Sequence, residues 1–302
     1  MGISHYIKDI GRGKQGARAV TREQAADLFG QLLDGTVTDL EVGAFCLAMR
    51  IKGETPDEMC GFLDATHARL QRVPAGAQPV VVLPSYNGAR RLPVLTPLLA
   101  LLVAKQGLPV LVHGSASESS RVFVTEVLRP LGIPTLAQVG PLAAGRAAYA
   151  PTEVLHPGLK RLLDVRRVVG VRNSAHSLVK LMKPCEGAAV VIGSYTHPEY
   201  ALSMAAVYEQ MGATAMLLRG TEGEAVADPR RLPQMEGFVR GRRVRLEEGQ
   251  RGTLGAVPDL PEGTDAQATA AYIADVLAGR RQVPAAIGLQ VEHILRLAGQ
   301  AA

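Results

Sequence analysis

The chain has 302 residues, 47% hydrophobic and 20% charged, the balance of a soluble globular protein with one or two domains rather than a disordered tail. Its formal charge is +5 and its sequence pI is near 9.2, compatible with a polyanionic partner such as nucleic acid or a phosphorylated substrate, and equally with plain colloidal solubility. Aromatic residues are 4% and Trp is absent, which argues against an aromatic platform for stacking bases.

Taken in chain order, the N-terminal "MGISHYIKDIGRGKQGAR" lacks an apolar run and a cleavage site, so no secretory signal is expected. Residues 1–72 read as helical. "TREQAADLFGQLLDG" opens on Thr21 as N-cap and closes on Gly35, and "TDLEVGAFCLAMRIKG" repeats the plan, ending at Gly53. "TPDEMCGFLDATHARLQRV" has Thr55 as cap, Pro56 in the first turn and early acids. The pattern then changes. Residues 79–83 form a buried strand, "LTPLLALLVAKQG" a helix, "LPVLVHG" a strand and "SSRVFVTEVLRPLG" a helix. Alternation continues through "GAAVVIGSY", "PEYALSMAAVYEQMG" and "ATAMLLRG", the signature of helices on a mainly parallel sheet. "GFVRGRRVRLEEGQRG" reads as a surface ribbon, and two helices close the chain. The longest apolar run, residues 92–104, holds two prolines and is too short to span a bilayer, so no membrane insertion is expected.

The fold class is therefore α/β. A small helical domain, residues 1–74 with part of 155–185 packing on it, accompanies a large α/β domain, 75–302, with a mainly parallel central sheet. Cys46, Cys60 and Cys185 form no CxxC pair, and they read as buried free thiols of a cytoplasmic protein. Seven scattered histidines give no metal-ligand spacing, and no catalytic residue, metal or cofactor is expected. The acidic pairs "TEGE" at 221–224 and "EE" at 247–248 read as solvated turns.

Two loops stand where a parallel sheet commonly binds phosphate. "PSYNGARRLP" has one glycine where a backbone cradle needs several, though Arg90 and Arg91 could hold phosphate by charge or be a solvated basic pair. "VLVHGSASESSR" offers His113, Gly114, Ser115, Ser119 and Ser120 before a helix, a set that suits an anion or ordinary capping. Basic clusters recur along the chain: Lys8, Arg12, Lys14 and Arg18; Arg166 and Arg167; Arg240 to Arg245. In "VRNSAHSLVKLMKP", Arg172, His176, Lys180 and Lys183 fall within one arc if the segment is helical. These clusters fit sequence-independent phosphate contact better than base readout.

"GAFCLAMRIKGETPDEM", "VHGSASESSRVFVTEVLRPLG" and "HPGLKRLLDVRRVVGVRNSAHSLVKLMKP" resemble the anthranilate phosphoribosyltransferases and related class IV phosphoribosyltransferases over most of the chain. The resemblance implies a helical domain joined to an α/β domain, as a homodimer. It also places "SYNGARR" where those enzymes carry a GTGGD pyrophosphate loop, and Val112, Ser115 and Ala116 where they carry the lysine and asparagine of KHGN and the arginine after it. Ala225 and Val226 stand at the magnesium-binding acids, and Arg166 at the position that holds the anthranilate carboxylate. "RNSAHSLVKL", "YTHPEY", "TEGE" and "DIGRGKQGAR" resemble the TrpD-like YbiB group of DNA-binding proteins on the same fold. That resemblance implies a cytoplasmic homodimer binding DNA or RNA without sequence preference. Lys8, Arg12, Lys14, Arg18, Arg90, Arg91, Arg172, Lys180 and Lys183 are the expected contacts. His113, Gly114, Ser115, Ser119, Ser120 and Arg166 would be remnants of a substrate site. The alternative is a phosphoribosyltransferase of altered substrate.

Overall fold

A computed structural model describes residues 2–13, 15–116, 120–252 and 259–301. The chain begins with helices α1 (Ser4–Ile10), α2 (Arg22–Asp34), α3 (Asp39–Lys52) and α4 (Pro56–His67). Three of them start alike. Thr21, Thr38 and Thr55 each accept the backbone N–H of the residue three positions on, and Gln24, Glu41 and Glu58 accept the threonine's own amide in return. Such reciprocal caps satisfy donors a helix start leaves orphaned, at about 1 kcal/mol each. Phe29, Phe45 and Phe62 are fully buried, with the Phe29 and Phe62 rings stacked at 4.6 Å. Glu58 is buried too. It accepts the amides of Val20 and Thr55, and pairs with Lys52 Nζ at 2.6 Å.

The chain then alternates through β1 (Val80–Ser85), α5 (Thr96–Lys105), β2 (Val110–Gly114), α6 (Val124–Leu128) and β3 (Ala147–Pro151). Helices α7 (Thr152–Leu155), α8 (Pro157–Val169) and α9 (Ala175–Leu178) follow. Next come β4 (Ala189–Tyr195), α10 (Pro198–Gln210), β5 (Ala215–Arg219), β6 (Met235–Val239), β7 (Arg242–Glu247), α11 (Ala266–Leu277) and α12 (Ala285–Ala301). The chain divides into two compact units, Met1–Gln71 with Thr152–Pro184, and Arg72–Pro151 with Cys185–Ala302. The first is helical and the second carries the sheet.

Among the described residues the sheet has seven strands in the order β3-β2-β1-β4-β5-β6-β7. β1 to β5 are parallel, and β6 and β7 add an antiparallel hairpin at one edge. Side chains alternate faces along a strand. Val81, Leu83, Val110, Val112, Val190, Ile192, Met216 and Leu218 thus share one core with α5, α6, α11 and α12. Gly193, of opposite parity to Ile192, faces the Tyr208 ring of α10, where a Cβ would collide with the phenol. Tyr208 in turn packs on Phe238 at 5.3 Å. β7 is the outer strand, half to fully exposed, and carries Arg242, Arg243 and Arg245.

Some elements differ from expectation. α6 covers only Val124–Leu128 of the longer helix predicted there. α9 is a single turn, so Arg172, His176, Lys180 and Lys183 do not lie along one continuous helix. Asn173 is the reason. Its Oδ1 accepts the Ala175 amide and its Nδ2 donates to Leu162 O at 2.7 Å, which starts the turn late. Beyond Leu178 the backbone tightens, with Leu178 O accepting from both Leu181 and Met182, while Val179, Leu181 and Met182 are buried. All three cysteines are buried thiols that form no disulfide. No helix among the described residues is long and apolar enough to cross a membrane.

Candidate functional site

The carboxyl ends of β1, β4 and β5 carry a buried polar network. It is built from two carboxylates of the loop after β5. Glu224 is 1% exposed, yet its charge is met from every side. One oxygen accepts the backbone amides of Asn87 at 2.8 Å and Gly88 at 2.9 Å. The other accepts the hydroxyls of Ser85, in a short contact, and of Thr96 at 3.1 Å. Glu222 does the same further along the β1 loop, accepting the amides of Arg90 at 2.6 Å and Arg91 at 3.0 Å.

The loops are also tied directly. Asn87 Nδ2 donates to Glu222 O at 2.9 Å, and Ser194 Oγ donates to Gly223 O at 2.8 Å. Gly223 has φ +87° and lies against the Asn87 amide, so a side chain there would both strain the backbone and strike that group. Glu222 itself has φ +52°, a left-handed backbone uncommon for a non-glycine residue. Successive amides converging on one point form the kind of concavity that holds phosphate. Here the chain's own carboxylates hold it.

Two expectations are corrected by this arrangement. "TEGE" is not a solvated turn, because Glu224 is buried in a shell of donors and Glu222 is bound to the facing loop. The β1 loop does make a backbone cradle with only Gly88 in it, and carboxylates of the chain itself fill it. The acids at 247–248 also have partners. Glu247 contacts His293 Nε2 at 2.6 Å, and Glu248 accepts from Arg245 at 2.7 Å.

Ala225 and Val226 are fully buried, so the positions that the resemblance assigns to magnesium ligands carry only hydrocarbon. Among the described residues, no group of three or more His, Cys, Asp or Glu side chains is arranged to hold a metal. The donor set does not fit magnesium, which requires oxygen ligands.

His113, at the end of β2, is fully buried. Burial lowers its pKa to about 3, so the ring is neutral. Its Nδ1 lies 2.9 Å from the Tyr86 hydroxyl, and Nε2 has no hydrogen-bond partner among the described residues. Gly114 is closed in by Ser85 O, and Ser115 is buried. Ser120 is exposed, whereas Ser119 and Lys14 lie outside the described residues. Arg90 and Arg91 direct their amides to Glu222 and are exposed.

In the helical unit, Lys8, Arg12 and Arg18 are exposed or half-exposed, and Arg12 lies 3.5 Å from Asp9. Arg166, Arg172, Lys180 and Lys183 are partly buried. The Lys183 amide donates to His67 Nε2 at 3.0 Å, which ties the end of the α9 segment to α4.

Sequence reasoning missed the role of Glu222 and Glu224. The available signal was an acid-rich loop directly after β5, two strands from β1, opposite a loop rich in unspoken-for amides.

Residues 4–69 match the model of the glycosyl transferase family helical bundle domain. The chain is 41% identical to the uncharacterized protein YbiB of Escherichia coli K12, with 100% of this chain and 96% of that protein covered. It is 31% identical to an anthranilate phosphoribosyltransferase of Afipia carboxidovorans, over 87% of this chain and 80% of the relative. Its fold is that of the Thermus thermophilus anthranilate phosphoribosyltransferase crystal structure, with TM-score 0.74, 21% identity, and 97% and 89% of the two chains covered. The capped helical bundle, the parallel sheet and these similarities together place the chain in the anthranilate phosphoribosyltransferase-like (TrpD-like) glycosyltransferase family.

Proposed function

We propose that this family member does not transfer a phosphoribosyl group but binds nucleic acid, without sequence preference, as a cytoplasmic homodimer. One observation carries the first half. Glu222 and Glu224 already occupy the amides of the loop that would otherwise receive a pyrophosphate. A second anion there would meet two negative charges, with no group among the described residues arranged to hold a compensating metal ion. The second half is supported by charge: Lys8, Arg12, Arg18, Arg90 and Arg91 are solvent-accessible cations on a chain of net charge +5. For the dimer, α3 carries Leu40, Leu47 and Ile51 exposed at helical spacing, an apolar stripe suited to a second copy.

The test is fluorescence anisotropy with labelled oligonucleotides of unrelated sequence. Affinities should be similar across sequences and fall linearly in log–log form as salt rises. The R172E/K180E variant should weaken all of them about equally. Absence of salt-sensitive binding at low ionic strength overturns the reading.

The relatives favour a second reading, a transferase of altered substrate. Apart from YbiB, the relatives named above are called anthranilate phosphoribosyltransferases. Calorimetry with phosphoribosyl pyrophosphate and magnesium separates the two. Saturable heat that requires magnesium supports this second reading, and no heat at millimolar ligand removes it.

A further inference from the structure

A cavity of about 680 Å³ opens in the sheet-bearing unit beside the ends of β4 and β5, bordering the cradle at Glu222 and Arg91. Its volume lies in the range of small-molecule pockets and exceeds what a simple inorganic ion fills. Four arginines line it from three stretches of chain: Arg91 after β1, Arg219 at the end of β5, and Arg230 with Arg231 in the connection to β6. Two carboxylates line it as well, Glu222 and Asp228, and both are already engaged. Glu222 accepts the amides of Arg90 and Arg91. Asp228 accepts the Arg230 guanidinium at 2.8 Å and the Arg230 amide at 2.9 Å.

With Asp228 paired to Arg230, three further guanidiniums stand against the single Glu222 carboxylate, so the balance of charge at the cavity is positive. Arg231 donates one N–H to Gly252 O. Arg91 and Arg219 are exposed at the cavity wall, and their guanidiniums make no ion pair or hydrogen bond among the described residues. Two uncommitted guanidiniums facing one space match a dianion, and planar guanidinium forks match phosphate oxygens in particular. Beside them, Tyr195 and Thr196 at the end of β4 offer a half-buried aromatic ring and a hydroxyl, enough to hold an uncharged ring-bearing portion. This is chemically unlike the amide cradle at Glu224, which is closed by the protein itself.

We propose that this cavity binds a nucleoside 5′-phosphate dianion, with Arg91 and Arg219 as its principal phosphate ligands. The inference shares Arg91 with the nucleic-acid reading but does not require it. A free nucleotide and the 5′-phosphorylated end of a strand present the same chemistry to it.

The full chain would be titrated calorimetrically at low salt with adenosine 5′-monophosphate, adenosine and inorganic phosphate. The monophosphate should bind saturably, adenosine should give no heat, and inorganic phosphate should bind at least tenfold more weakly. R219Q and R91Q should each raise the dissociation constant about tenfold at unchanged melting temperature, since neither side chain holds a partner in place. Competition by a 5′-phosphorylated oligonucleotide, but not its 5′-hydroxyl counterpart, identifies a strand end as the source; failure of both to compete identifies the free nucleotide.

Equal affinity for adenosine and its monophosphate overturns the proposal. So does no heat at millimolar monophosphate, or an unchanged constant in the folded R91Q/R219Q double variant. A protein that binds oligonucleotides but no monophosphate refutes this inference and leaves the nucleic-acid reading intact.

Discussion

Truncating Glu224 to alanine tests the central feature of the site. The carboxylate is the acceptor for two backbone amides and two hydroxyls in a region closed to solvent. Hydroxyls can rotate to other acceptors, but the amides of Asn87 and Gly88 cannot. A buried donor left without an acceptor costs about 1–3 kcal/mol, so two give about 4 kcal/mol. For a unit of this size that lowers the melting temperature by about 10 °C. Glu224→Gln should cost less, about 1–2 kcal/mol, because its carbonyl oxygen still faces the amides, while its NH2 replaces the oxygen used by the Ser85 and Thr96 hydroxyls, which can rotate to accept from it.

The alanine variant also exposes an anion-binding concavity that the wild type fills internally. Phosphate at about ten times its dissociation constant would return about 1.4 kcal/mol, or about 3–4 °C, to Glu224→Ala and much less to the wild type. Differential scanning fluorimetry with and without phosphate measures both effects. An alanine variant melting within about 2 °C of the wild type, or one destabilised but indifferent to phosphate, would refute the account of Glu224 as an internal stand-in for a bound anion.

Three further outcomes follow from the structure. Removing one partner of the buried Lys52–Glu58 pair, as in E58A, should cost about 3–5 kcal/mol in urea unfolding, because it strands an ammonium together with the amides of Val20 and Thr55. His113 should add an acid sensitivity. Its folded pKa of about 3 lies below the value of about 6.5 expected when unfolded, so the unfolded chain binds the extra proton between those limits. Its contribution is complete above about pH 6.5 and is lost as pH falls, by up to about 1.4 kcal/mol per pH unit, and H113Q should remove that slope from a series of urea midpoints. Finally, burial raises the pKa of the Cys46 and Cys60 thiols to about 11, and Cys185 is buried too, so a thiol-reactive dye should label none of them until the protein is denatured.

What could be read ahead of the structure was mostly local. Thr21 and Gly35 bound α2 as their capping chemistry requires, Pro56 sits in the first turn of α4, and the apolar runs at 79–83 and 189–193 are central strands. β3 passed unread because "AAYAP" has no β-branched residue and lies at the sheet edge beside β2. The site was less legible still. Ser85 and Glu224 are 139 residues apart, and nothing in either loop names the other. Their meeting depends on β5 lying two strands from β1, a property of strand order. The single turn of α9 was hidden similarly, since Asn173 acts through Leu162 O on a different helix.

The exposed strand β7 changes how the basic cluster at 240–245 is understood. An outermost strand presents unpaired amides and carbonyls to any other chain with a free edge, and long charged side chains are a common guard against such joining. Arg243 and Arg245 pair with Glu236 on β6, which draws them back over the sheet face. Of these arginines, Arg242 is exposed on the outermost strand and has no ion pair among the described residues, the kind of charge that discourages edge-to-edge pairing of copies. Replacing Arg242 and Arg245 by valine would leave the fold intact while turning the last strand into an adhesive seam.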